Sequence, residues 1–580
     1  MQKNADERYQ TVKDLLLDLK HLKRELEFSD ELERSHIPAF AKSANVGAVN
    51  QSSENATIMQ PAVSTQNNIS QQPSSAEYVF GEVRKHKFVW LGALAILLLG
   101  AIGLGYWFFA SRSASATQIT SIAVMPFVNE SGNAEVEYLS DGMTETLISS
   151  LSQLPKLNVK ARSSVFRYKG KDTNAQTIGK ELNVQAILNG RVVQRGNDLT
   201  LYIELVDANT ENTLWKADYN RPMSNLITLQ SEIASDVSQK LQARISNVEA
   251  RKIAKSYTAN AEAYQLYLKG RFYWNRRTAE NIKKAIEQFR AATEKDPNYA
   301  LAYVGLADSY IALGNYADAS TNETLPQAKA YAMRAVELDD SLAEVHTSLG
   351  NINVHSWNWA EAEREYKRAI ELNPNYPTAH QWYSLWLTFN GRLDEALTEI
   401  KHAYDLDPLS PIINANLART YLLKGELDTA AEQCRKFIEF DPAQPQAYLI
   451  LAFIRQKQLR HSEAIAEAEK AVELSQRASD KLAALGYFYA AAGKRAQALE
   501  ILRELKEKYD SRKSKAAYIA WVYAGLGDND EAFAWLEKGV RDRDGFLAQY
   551  VTLFTALDSL RSDPRYAELL RRIGLSHAVK

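Results

Sequence analysis

Residues 411–442 read PIINANLARTYLLKGELDTAAEQCRKFIEFDP. Two apolar helical stretches flank Gly425, and Pro442 closes the second. Proline cannot continue a helix, so the stretch is a helical hairpin with a turn at each end. Ala430 belongs to a series spaced by 34 residues: Ala328, Ala362, Ala396, Ala430, Ala464, Ala498 and Ala532. Twelve residues before each alanine, from Gly350 onward, stands another small residue: Gly350, Ser384, Ala418, Ala452, Gly486 and Ala520. Helix axes 8–10 Å apart need small side chains where they cross.

Tyr421, Tyr489 and Tyr523 recur three residues after the small position. Asp340, Pro374, Pro408, Pro442 and Asp510 mark the ends of second helices, and Gly425, Gly493 and Gly527 the turns inside hairpins. These residues resemble the tetratricopeptide consensus, whose period is 34. A looser copy carries Gly270, Tyr273, Ala285, Phe289, Ala292 and Pro297. The next, at Leu306-Ala307-Tyr310, has about nine extra residues near 319–326. The spacing predicts about eight repeats over 262–545 and a helical cap over 546–580. An array of this kind is built to bind rather than to catalyse.

A formal net charge of −2 gives no basic field for nucleic acid. The single cysteine, Cys434, reads as a small core residue. The nine histidines form no metal-binding spacing, so neither metal nor cofactor is expected.

Residues 88–110 carry no charge. A helix of that length spans a ~30 Å hydrocarbon core, so the run predicts one transmembrane helix. Arg84, Lys85 and Lys87 precede it and Arg112 follows. The positive-inside rule then predicts a single-pass inner-membrane protein, with the N-terminus cytoplasmic and the C-terminal bulk outside. Residues 31–87, polar and poor in large apolar side chains, predict a disordered linker.

The N-terminal words KNADERYQTVKDLLLDL resemble the end of a bacterial Ser/Thr protein kinase domain. In that resemblance Arg8 matches an arginine that pairs with a buried glutamate, and 1–30 is a kinase remnant. No Gly-rich loop, VAIK lysine, HRD or DFG accompanies it, so this chain is not expected to be an enzyme.

Residues 119–247 alternate strands and helices, with Asp141 as a candidate helix cap. The words IAVMPFVNES, YLSDGMTETLISSLSQLP and IGKELNVQAILNGRV resemble the TolB N-terminal-like domain. That resemblance implies an α/β binding module without catalytic residues. The fold class expected is therefore mixed: an α/β domain, an all-α tetratricopeptide solenoid and one transmembrane helix.

The function expected is a membrane-anchored sensor or scaffold, the non-catalytic part of a kinase receptor. A stand-alone envelope assembly factor and a membrane transcriptional regulator are the alternatives. The partner is a protein or peptide in the solenoid groove. The residues expected to line it are Asn351, Gln381, Arg419, Phe453, Gln456, Tyr487 and Trp521.

Overall fold

A computed structural model describes residues 97–100, 119–241, 246–316 and 321–575. Residues 97–100 are helical and lie in a first unit; the other described residues lie in a second. The kinase-like words and the linker lie outside the described residues, as does the predicted span apart from 97–100. Among the described residues no helix is long and apolar enough to cross a membrane. The single-pass inner-membrane placement is corrected on that finding.

The α/β domain is built on a mixed sheet. Its strands are β1 (Ser121–Val124), β2 (Val128–Asn129), β3 (Asn158–Val159), β4 (Ala186–Arg195), β5 (Asp198–Asp207) and β6 (Thr213–Pro222). Their order is β3-β1-β4-β5-β6, with β2 beside β4. β1 runs parallel to β3 and β4, whereas β4, β5 and β6 form an antiparallel meander. Gly196, at φ 60°, makes the tight turn between β4 and β5. Gly190 lies inside β4 because Phe127 packs onto its backbone: a Cβ there would sit 2.4 Å from the ring. Helices α1 (Glu137–Ser152), α2 (Ala175–Leu182) and α3 (Leu226–Lys240) complete the domain. Asp141, expected as a cap, lies inside α1 and pairs with Lys169.

Eight helical hairpins follow. They are Ala261–Trp274 with Ala279–Lys295, Ala300–Tyr316 with Thr321–Leu338, Ala343–His355 with Trp359–Leu372, and Pro377–Phe389 with Leu393–Leu406. Then come Pro411–Leu423 with Leu427–Phe440, Pro445–Lys457 with His461–Leu474, Ser479–Ala491 with Arg495–Asp510, and Ala516–Leu526 with Asn529–Arg541. Of the extra residues near 319–326, those from Thr321 onward belong to the helix Thr321–Leu338, which includes Pro326.

The small crossing residues do what their spacing requires. A Cβ on Gly350 would lie 2.5 Å from the Tyr366 ring, which packs from the second helix of the same hairpin. The hairpin turns repeat a left-handed residue every 34 positions. Gly391, Gly425, Gly493 and Gly527 take it at φ 74–81°. Trp357 and Leu459 occupy the same place at φ 61° and 59°, which costs a residue with a Cβ.

The α/β domain docks on the turns between hairpins, again with period 34. Lys255 Nζ binds Asp339 at 2.6 Å. Asn373 Nδ2 donates to Ser152 Oγ at 3.2 Å. Asp407 accepts from Ser163 and Ser164, and Asp441 pairs with Arg167 at 3.0 Å. Lys160 is buried in this seam and donates to the Asp405 carbonyl; burial lowers its pKa to about 8.

Candidate binding groove

The first helices of the hairpins share one stripe of residues at matching positions. From the third hairpin onward that stripe is Asn351, Leu385, Arg419, Phe453, Tyr487 and Trp521, again 34 residues apart. Gln381 stands one helical turn before Leu385, and Gln456 nearly one turn after Phe453. These positions include all seven expected groove residues.

The protein's own chain packs on the array at two places. At the N-terminal end, α1 packs on the first hairpin. Arg271 Nε donates to Glu145 at 2.8 Å, Asn275 Nδ2 donates to the other carboxylate oxygen at 2.8 Å, and Arg162 lies 3.2 Å away. Burial alone would raise the Glu145 pKa; the two arginines outweigh it and hold the carboxyl below its usual range. Tyr264 adds contacts to Thr146 and Gln230.

At the other end, the segment after the eighth hairpin folds back. It contains the helix Leu547–Thr552, the 3-10 turn Thr555–Leu560 and the helix Pro564–Arg572. The Phe554 ring lies 4.8 Å from Trp521 and 5.4 Å from Phe453. Trp521 Nε1 donates to the Tyr550 carbonyl at 3.2 Å. Lys457 pairs with Asp558 at 2.6 Å. The segment also reaches the third hairpin. His355 Nδ1 donates to the Gly545 carbonyl at 3.1 Å, and Trp359 Nε1 donates to the Ile573 carbonyl at 2.7 Å. Burial pushes the His355 pKa down to about 4, so its ring is neutral at pH 7.

The expected residues lie in different environments. Trp521 and Phe453 are fully buried under Phe554 and pack rather than project. Asn351, Gln381 and Arg419 are buried. Gln456 and Tyr487 keep part of their surface. Sequence reasoning missed Ile412 on the same face, 51% exposed one turn before Ala415 and Asn416. Its signal was present: an isoleucine near the start of a first helix, outside the small-residue series.

Comparison with known proteins identifies the two parts. Residues 117–236 match the HilA/YgeH-like transcriptional regulator second-domain family. This match does not support the TolB resemblance. Residues 277–321, 343–376 and 387–445 match tetratricopeptide repeat families. The chain is 31% identical to "Putative adenylate cyclase 3" of Rhizobium meliloti over 232 residues, 40% of this chain and 39% of that protein. It is 24% identical to "Transcriptional regulator HilA" of Salmonella typhimurium over 222 residues, 37% of this chain and 38% of that one. The chain thus spans about two fifths of the length of these curated relatives. Among solved structures, it resembles Pseudomonas aeruginosa pilF at 22% identity and a TM-score of 0.30, covering 36% of this chain and 92% of that one. It also resembles YrrB, described as a tetratricopeptide protein with an unusual peptide-binding site, at 22% identity and a TM-score of 0.25, covering 32% and 91%. None of these matches supports the kinase resemblance of residues 1–30. The described chain is a tetratricopeptide solenoid joined to a small mixed-sheet domain.

Proposed function

We propose that this chain is a non-catalytic protein-binding scaffold whose partner enters the middle of the solenoid groove. One observation carries the reading. Beside the surface that the C-terminal segment covers, the first helices of the fourth to seventh hairpins keep exposed or partly exposed side chains: Ile412, and in part Thr378, Gln446, Gln456 and Tyr487. They mix an apolar anchor, an aromatic ring and amides, which suits an extended or helical peptide segment.

The relatives bear on the role. One is named a cyclase and another a transcriptional regulator, and each shares about two fifths of its length with this chain. Outputs that differ while such a module is shared favour an input role for the module. We place the adapter function here and leave the output to other domains.

Peptide display against the full chain tests the reading. Selected peptides should lose at least ten-fold in affinity to Ile412→Asp and Tyr487→Ala, with melting temperatures close to wild type. Equal binding to both variants would remove the groove from the proposal.

A further inference from the structure

Four buried side chains near the inner stripe carry polar atoms that the fold leaves without a partner: Asn351 Oδ1, Gln381 Nε2, Asn416 Nδ2 and Arg419 Nε. Their residues are only 2–6% exposed. Buried polar groups are satisfied as a rule, so a cluster of exceptions on three successive hairpins calls for a cause. Gln381 follows Asn351 by one repeat less a helical turn, and Arg419 follows Gln381 by one repeat plus a turn. All therefore occupy one face of adjoining first helices.

Arg419 brings the only full charge of the four. Its Nη1 donates to Asn416 Oδ1 at 2.7 Å, which fixes Asn416 with its Nδ2 as a free donor. Its guanidinium faces the Phe554 ring at 5.0 Å. Neither partner is negative. The carboxylate whose field reaches it, Asp480, is already bonded to Lys481 at 2.5 Å. Burial without a counter-ion lowers the Arg419 pKa to about 10.

Three of the four orphaned atoms are donors, so the missing group is rich in acceptors and negative. A single cation balances a single charge; a phosphate dianion would leave one charge buried and unpaired. The planar guanidinium fork matches the two oxygens of a carboxylate. Beside it stands an apolar wall, Phe554 backed by Phe453 and Trp521.

We propose that the solenoid interior between the third and fifth hairpins binds a small organic monocarboxylate. Arg419, Asn416 and Gln381 hold the carboxylate, and Phe554 packs against the apolar body. The site is separate from the open peptide positions above, because the chain's own C-terminal segment roofs it. Binding would tie the fifth hairpin to that segment.

The test uses the full chain, with hexanoate, acetate, neutral hexanamide and inorganic phosphate as probes. Calorimetry and thermal melting should show saturable binding of hexanoate, weaker binding of acetate, and none of hexanamide. Arg419→Met should weaken hexanoate at least ten-fold, yet melt no lower than wild type without ligand, because it removes an unpaired buried charge. Gln381→Leu, which keeps the cation, should weaken hexanoate by a smaller factor. Absence of carboxylate binding overturns the proposal. So does equal binding of hexanamide or phosphate. Unchanged binding by both variants does the same. An Arg419→Met chain that melts far below wild type would make Arg419 structural and also overturn it.

Discussion

Asp407 Oδ1 accepts a hydrogen bond from Ser164 Oγ at 2.5 Å, across 243 residues of sequence. Ser163 donates to the other oxygen, and Ser164 Oγ in turn accepts from the Leu409 backbone amide at 2.9 Å. The bond fastens the turn after the fourth hairpin to the α/β domain. Asp407→Ala leaves these buried hydroxyls without their acceptor and should cost about 1.5–3 kcal/mol. Hydrogen exchange should speed up over residues 160–167 before the rest of the chain. Uniform acceleration, or none, would contradict the seam described above.

Glu145 neutralises two arginines where α1 enters the first hairpin. Glu145→Ala strands both cations in a largely but not fully buried site and should cost up to about 3 kcal/mol. Its folded pKa lies below its unfolded value, so its stabilisation is present above the unfolded pKa. It is lost as pH falls through the folded pKa. Acid denaturation of Glu145→Gln should accordingly depend less on pH below about 4.5. An acid profile parallel to wild type would refute the pairing.

His355 works in the range above that. Its pKa falls from 6.5 unfolded to about 4 folded through burial, with Phe546 packed on the ring; the hydrogen bond to Gly545 opposes the shift only in part. The unfolded chain therefore binds a proton that the folded chain refuses. Stability is full above about pH 6.5 and declines as pH drops to 4, by about 3 kcal/mol in all. His355→Gln should flatten the melting temperature across that window. A wild-type slope in the variant would assign the acid response elsewhere.

Trp521→Ala removes a fully buried indole that contacts Phe453, Tyr518 and Phe554. The expected loss is about 3–5 kcal/mol. Ala430→Glu, at a fully buried helix crossing, should also destabilise strongly, by overpacking and by burying a charge. Tyr487→Ala, on a partly exposed ring, should cost less than either. Thermal melting of the three variants ranks them. Trp521→Ala melting like wild type would mean that the C-terminal segment does not cover it.

Leu459 is 76% exposed and sits at φ 59° in a place that four other hairpins fill with glycine. Leu459→Gly relieves that strain and should stabilise by up to about 1 kcal/mol, less the entropy glycine loses on folding. A lower melting temperature would show that the leucine side chain contributes more than its backbone costs.

Much of the solenoid was legible because its code is local. Ala430, Ala418 and Gly350 fill crossings between neighbouring helices, and Gly425 fills a turn. The same period held signals that went unread. His346 and His380 bond Glu365 and Glu399 at 2.6 Å, and Asn414 repeats the contact with Gln433. Asp339, Asn373, Asp407 and Asp441 each precede one of the turn residues Asp340, Pro374, Pro408 and Pro442, and they make the contacts of the seam. Nothing in their own neighbourhood distinguishes the two roles. The Asp141 cap failed because α1 begins a turn earlier, at Glu137, and Lys169 claims the carboxylate.

By itself the sequence determined the hairpins, their small crossings and the periodic stripe from Asn351 to Trp521. Each of those depends on residues within one repeat or the next, so a 34-residue period encodes them. Only the tertiary structure decided what packs on the array: Glu145 on the first hairpin, and Phe554 on Arg419, Phe453 and Trp521, with Ile412 left exposed. Those contacts join residues 33 to 135 positions apart. Each joins one hairpin to residues outside it, and no single repeat records such a partner.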